Sequence, residues 1–272
     1  MTEKRSLRHV LLAIYGVIAC GFVLTPLVIT VINSFSSVAY NVFPPEGLSL
    51  RWYVNLAGQS EFYAAGLRSI LLALATMAVT LTIGTMAAYA LVRFRFGGRG
   101  VVNGLLMAPV VIPNIAIGVA MFMFIVRLGI VGNYSNLLVT HALVSLPFVV
   151  VIVSVGFTNF DWSLEEAARD LGAGPFSTFF RVLMPQIRTN LIIGGAFAFI
   201  TSFDQVETTL FLVRPDQNTL PVEMFLYLQK WQDPTISALA VVLIVFAAFL
   251  LVLLSLALRG RQQIASVFRA DR

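Results

Sequence analysis

Few side chains in this 272-residue chain can do chemistry: 13 acidic, 18 basic, two histidines and one cysteine. Asp204 and Glu207 stand three apart in a segment, Leu191 to Val213, that is otherwise apolar for about half its length. In a helix that spacing puts both carboxylates on one face. Ionised groups cost at least a few kcal/mol in lipid, so the pair is expected to face a polar cavity or a partner, where it would favour a cation. The bland alternative is a pair solvated near the outer interface or paired with Arg214. Asn114, directly after Pro113, offers a polar group to a second such place. His141 reads as an interface residue. Neither histidine has a carboxylate or cysteine at metal-ligand spacing, and no nucleophile and base are arranged together, so the expectation is no catalytic centre and no metal.

These residues sit in a chain that is 58% hydrophobic and 11% charged, with mean hydropathy +0.89, which places most of it in lipid. A bilayer core of about 30 Å needs roughly 20 helical residues. Val10 to Ile32, Ser69 to Val92, Gly100 to Val126, Ala142 to Phe160 and Ile236 to Leu258 are five charge-free runs of that kind, and Leu191 to Val213, fifth in chain order, is an interrupted one that brings the total to six. The expected fold is therefore an all-α membrane protein of about six spans, with residues 1–272 forming one membrane domain. Pro109 and Pro113 predict a kink in the third span, and such breaks line cavities in transporters.

The basic residues Lys4, Arg5 and Arg8 precede the first span, Arg93, Arg95 and Arg99 follow the second, and Arg259, Arg261, Arg269 and Arg272 follow the last. The positive-inside rule makes these segments cytoplasmic, and six crossings put both termini there. The net charge of +5 then reads as topology bias and contact with anionic lipid, not nucleic-acid binding. Cys20 has no partner for a disulfide within the chain. Val17-Ile18-Ala19-Cys20 looks like a lipoprotein processing site, but the apolar run continues to Ile32, so a helix is expected. Outside, residues 34–61 carry Pro44-Pro45 and Arg51-Trp52-Tyr53, a turn followed by aromatics suited to an interface. Arg214 to Pro221 reads as a turn into a short helix, with Asp216, Glu223 and Asp233 as exposed acids.

The most specific stretch is Glu165-Glu166-Ala167-Ala168-Arg169-Asp170-Leu171-Gly172, in the cytoplasmic loop between the fourth and fifth spans. Ser163 and Glu166 have capping-box spacing, acids fill the first turn, and Gly172 with Pro175 supplies the stop. Leu164, Ala167 or Ala168, and Leu171 share a face, while Glu165 and Arg169 can pair at i, i+4. A second helical stretch from Pro175 to Leu183 carries Phe176, Phe179 and Phe180 before Met184-Pro185. From chemistry alone this is either an amphipathic surface segment or a compact protrusion.

Glu166-Ala167-Ala168, three residues, Gly172, nine residues, Val182, one residue and Met184-Pro185 resemble the EAA motif of ATP-binding-cassette import permeases, which usually ends I-x-L-P. Similarity from the second span to the sixth, including Pro147-Phe148-Val149-Val150 and Ser202-Phe203-Asp204, looks most like the spermidine/putrescine branch. The resemblance implies a type I importer transmembrane domain, with a core permease region at 69–258 and a coupling loop at 160–188. It also implies that Glu166, Ala167, Ala168, Gly172 and Pro185 belong to a joint with a cytoplasmic ATPase dimer. Further implied partners are a second permease subunit, more a paralogue than an identical copy, and a periplasmic binding protein, all at the bacterial inner membrane. The chain itself would be no enzyme and hold no cofactor, ATP and Mg being bound by the partner ATPase. Asp204, Glu207 and Asn114 become substrate-pathway candidates for a polyamine or related nitrogenous solute. The rival from another class is an ion- or proton-coupled carrier using Asp204 or Glu207.

Overall fold

The computed structural model describes residues 2–214, 216–249 and 252, with side chains described from Arg8 onward. The expected basic residues Arg259, Arg261, Arg269 and Arg272, and the end of the last apolar run, lie outside the described residues. The chain divides into two units, Met1–Ser60 with Leu226–Arg272 and Glu61–Phe225.

In the first unit, α1 (Thr2–Ser34) runs unbroken through Cys20 and Pro26. Its Thr25 and Thr30 hydroxyls donate to the carbonyls of Gly21 and Pro26, so these polar side chains need no water. After it, an isolated bridge pairs Ser36 with Leu48, and α2 (Arg51–Ala57) follows. Trp52 was expected at a membrane interface and instead lies buried, its indole Nε1 donating to the Ser36 carbonyl at 2.7 Å. Arg51 covers the Trp52 ring at 4.2 Å and donates to the Ser37 carbonyl, so protein contacts hold this part of the loop. Elsewhere in this unit Asn55 donates to the Thr235 hydroxyl at 2.8 Å, at the start of the apolar helix Thr235–Phe249.

The second unit begins with the body of α3 (Ser60–Arg93), whose 34 residues span about 51 Å, well beyond a ~30 Å lipid core. The third apolar run is two helices, α4 (Arg99–Val111) and α5 (Asn114–Leu128), bent by 107°, a sharper break than the kink its prolines predict. The local cause is readable: Ile112, ahead of a proline, is extended at φ −83°, ψ 130°, and Pro113 cannot donate to the preceding turn. Pro109 is accommodated inside α4. The fourth run is α6 (Tyr134–Thr158), with Asn133 capping its first turn through the Ser135 amide. Next come α7 (Ser163–Asp170), α8 (Pro175–Thr178), a π-turn at Phe179–Leu183 and α9 (Met184–Gln186). The unit closes with α10 (Arg188–Phe203), α11 (Thr209–Leu212) and the first residues of α12 (Leu220–Lys230), the short helix expected after the Arg214 turn.

Among the described residues, three helices are long and apolar enough to cross a membrane unbroken: Arg8–Ser34, α3 and α6. Two bent pairs, α4 with α5 and Pro175–Gln186 with α10, supply broken spans, and Thr235–Phe249 is the described part of the sixth apolar run. Among the described residues the fold is all-α. Lipid gives apolar side chains no reason to leave it for each other, so helices associate through close packing at small residues. Gly84 of α3 illustrates this: a Cβ there would fall 2.7 Å from Val149 Cγ1 of α6. Gly194 and Ala198 bring α10 against Val149 and Val153 of the same helix, and Phe157, Leu183 and Ile187 complete this core.

Candidate functional site

The loop after α6 is built around one buried carboxylate. Its helix α7 was expected to start with a capping box from Ser163, but Ser163 is already helical and Asp161 Oδ1 accepts the Ser163 amide at 3.0 Å. The Ser163 hydroxyl and amide hold the Asp161 carboxyl below its usual range. The helix ends as the sequence predicts, because Gly172 takes φ +83°, a left-handed conformation that side-chain-bearing residues avoid.

Glu165 is 1% exposed. Its Oε1 accepts from Arg169 Nη2 at 2.7 Å, the i, i+4 pair predicted, and from the Tyr89 hydroxyl at 3.3 Å. Its Oε2 lies 2.9 Å from Arg93 Nε, off the N–H direction, so this contact is an ion pair rather than an aligned hydrogen bond. Arg93 in turn covers the Trp162 ring at 4.8 Å, and Trp162 stacks on Phe157. Tyr89 packs edge-on against Phe179. The last turn of α3 is therefore tied to α7 by charge and to the π-turn by aromatic contact. Arg93, read in the sequence as a topology signal, is a structural ligand of a residue 72 positions away, a contact that no local pattern announces.

One residue further on, a rotation of about 100° around the helix carries Glu166 out to the exposed side. Ala167 is exposed, Ala168 half-buried, and Gly172 and Pro185 exposed. With them stand Leu171 at 89%, Phe176 at 81% and Phe180 at 60% exposure, a cluster of uncovered apolar side chains on an otherwise well-pinned segment. Beside the pinned face, a cavity of about 520 Å³ is lined by Tyr89, Glu165, Arg169, Phe176, Phe179 and Phe180 among others.

The second candidate place differs from its sequence reading. The apolar run from Leu191 does not continue as a helix to Val213: α10 ends at Phe203, Asp204 is its C-cap, and the chain turns before α11. Asp204 and Glu207 are thus not on one helical face, although both are exposed. Arg214 pairs with Asp216 at 3.5 Å rather than with either of them. The break is held from α6. His141, expected at an interface, is 1% exposed, with Nδ1 2.9 Å from the Ser202 hydroxyl and Nε2 2.9 Å from the Thr209 hydroxyl. From the other side, Gly118 of α5 packs so tightly that a Cβ there would meet Thr208 Cα at 2.9 Å. Asn114, half-buried, lies one turn before Gly118 on the same face of α5. Of the acids expected to be exposed around Arg214, Asp216 is exposed and pairs with Arg214, whereas Glu223 and Asp233 are half-buried, accepting from Asn218 and Tyr227 respectively.

A family model described as binding-protein-dependent transport system inner membrane component matches residues 80–263. The chain is similar to the spermidine/putrescine transport system permease protein PotC of Escherichia coli K12, with 28% identity over 89% of this chain and 91% of that one. It is also similar to the putrescine transport system permease protein PotI of the same organism, with 31% identity over 82% of each. Among solved structures, a bacterial ABC transporter involved in import of the acidic polysaccharide alginate superposes with a TM-score of 0.74 at 18% identity, over 92% of this chain and 96% of that one. The inward-facing methionine ABC transporter MetNI gives 0.55 at 20% identity, over 71% and 93%. A helical membrane chain carrying a pinned loop between its fourth and fifth apolar runs, and matched by this family model over most of its length, belongs to the binding-protein-dependent transport system inner membrane components: it is the permease component of an ABC importer.

Proposed function

We propose that this permease forms half of a solute pathway and takes its energy from a cytoplasmic ATPase dimer docked on the segment around α7. ATP and Mg are bound and turned over on that partner, so the chain itself is not catalytic. The observation that carries this reading is the two-sidedness of the segment. Glu165 ties its inner side to α3, while Glu166 and Ala167 are turned away from it and exposed, Ala168 is half-buried, and Leu171, Gly172 and Phe176 are exposed just beyond the helix. A segment fixed at one side and apolar at the other transmits a push to the helices behind it. Small residues at Ala167, Ala168 and Gly172 let a partner approach closely, Glu166 supplies a charged contact, and Pro185 lies where the chain leaves the joint. The remaining partners are a second permease subunit, a paralogue rather than an identical copy, and a periplasmic binding protein. Both termini are cytoplasmic, residues 160–188 form the coupling loop and 69–258 the permease core of a single transmembrane domain.

The solute is a polyamine or a related small nitrogenous cation. This rests on the likeness to PotC and PotI and on the chemistry at the break, where Asp204 and Glu207 offer exposed carboxylates and Asn114 lies on the α5 face that packs against it. An ion-coupled carrier built on a carboxylate pair loses its structural premise, since the two acids do not share a helical face. The test is uptake of labelled putrescine and spermidine into proteoliposomes holding the chain with its partner subunits and binding protein. Uptake only with ATP on the cytoplasmic side supports the reading. ATP-dependent uptake of a different solute discards the polyamine assignment, and uptake driven by a proton gradient without ATP discards the mechanism.

A further inference from the structure

The two hydroxyls that meet His141 stand on opposite sides of the break in the fifth run: Ser202 is the penultimate residue of α10 and Thr209 the first of α11. Their hydrogen bonds fix the imidazole's protonation pattern. Thr209 has one hydroxyl proton, and it is already directed to the Gln205 carbonyl at 2.7 Å, an oxygen that can only accept. Toward His141 the Thr209 oxygen must therefore accept, so Nε2 carries the proton. Nδ1 is then bare and accepts from the Ser202 hydroxyl. Every donor and acceptor is satisfied with the ring neutral, which is the affordable state for a histidine packed inside a spanning bundle.

We infer that His141, as the neutral Nε2–H tautomer, is a positioning residue that staples the end of α10 to the start of α11 and so sets the shape of the turn that presents Asp204 and Glu207. The ring bridges the six residues between Ser202 and Thr209, across which only part of the backbone is helical, and α5 closes the other side through the backbone-to-backbone approach at Gly118. A turn between two helix ends has few internal constraints, so two buried side-chain hydrogen bonds to its flanks decide where its carboxylates point. The chemistry is specific: one donor and one acceptor at the two ends of a flat ring, which glutamine reproduces in part and alanine or leucine does not. The consequence for transport rests on the pathway reading of Asp204 and Glu207; the staple itself does not.

The experiment uses the assembled importer. With only two histidines in the chain, His9 and His141, nitrogen-15 labelling of histidine in this subunit gives two imidazoles to assign, and His141→Gln identifies the second by its disappearance. At neutral pH the His141 ring is expected to show a protonated Nε2 and an unprotonated Nδ1; a protonated Nδ1 overturns the wiring. Hydrogen–deuterium exchange at the amides of residues 204–209 is expected to rise about tenfold in His141→Ala and by less than threefold in His141→Gln. Exchange unchanged in both variants overturns the staple, whatever transport does. For ATP-driven putrescine uptake, His141→Ala is expected to raise KM several-fold with kcat and basal ATP hydrolysis little altered, and His141→Gln to recover most of the loss. If Asp204→Asn leaves uptake untouched while the exchange results hold, the pathway reading fails and the staple stands; if KM is unmoved by His141→Ala while Asp204→Asn impairs uptake, the positioning role is refuted.

Discussion

Two places in this permease solve the same problem, holding an irregular piece of chain against regular helices, with opposite chemistry. At α7 the tie is a buried carboxylate shared by two arginines and a tyrosine. At the break after α10 it is a neutral imidazole between two hydroxyls. The difference follows from the solvent each place can reach. Arg169 is 52% and Arg93 29% exposed at the side chain, so the two guanidinium groups keep part of their hydration while they and Tyr89 replace the hydration that Glu165 loses. His141 sits inside a spanning helix with no such access, where a net charge is costly and fully paired neutral groups are not. The charged tie also has direction: it anchors one side of α7 and leaves Glu166 and Ala167 exposed on the other.

The contrast is sharpest where it is broken. The largest effect is expected from Gly172→Pro, because proline fixes φ near −65° where the chain needs +83°. A local cost of about 3 kcal/mol should distort the turn after α7, leaving insertion intact while ATP hydrolysis no longer drives uptake; normal coupled transport would count against the assigned loop. Next comes Glu165→Ala, which strands two arginines around an empty site. Discounting the usual cost of a broken buried pair for the exposure of both guanidinia leaves about 2 kcal/mol, read as faster amide exchange over residues 163–172. A smaller loss, about 1–2 kcal/mol, is expected for Gly84→Ala, since the new Cβ enters the space of Val149. Adding Val149→Ala should return part of it, and strict additivity in the thermal midpoint of the purified complex would argue against the contact. The smallest is Glu166→Ala: this neighbour of Glu165 is exposed, so stability should change by less than about 0.5 kcal/mol. Its effect should appear only in coupling, as ATP hydrolysed per solute moved.

What the sequence made legible, and what it hid, follows the range of the interactions. The apolar runs, the stop at Gly172, the Glu165–Arg169 pair and the break near Pro113 are local, written in neighbours within one or two turns. The capping box does not form: Trp162, which offers no side-chain oxygen, occupies the cap position of α7, and Asp161 reaches the Ser163 amide from one residue earlier, a choice that only geometry makes. Asp204 and Glu207 at i, i+3 predicted a shared helical face, but a polar patch in an apolar run is equally the place for a helix to end, and this one does. Arg93 with Glu165 and His141 with Ser202 and Thr209 were invisible for a different reason: each joins residues more than 60 positions apart, and a lone arginine or histidine looks the same in a topology signal as in a buried network.

The central claim is that the exposed side of the α7 segment is the joint with the ATPase. It is tested most directly by cross-linking in the assembled importer, with Cys20→Ser as background and single cysteines introduced as Leu171→Cys, Phe176→Cys and, as a control in the first unit, Val54→Cys. A short bifunctional maleimide should join positions 171 and 176 to a cysteine placed on the ATPase surface and leave position 54 unjoined. Cross-links from position 54 but none from 171 or 176, in a complex that still couples ATP hydrolysis to uptake, would contradict the account.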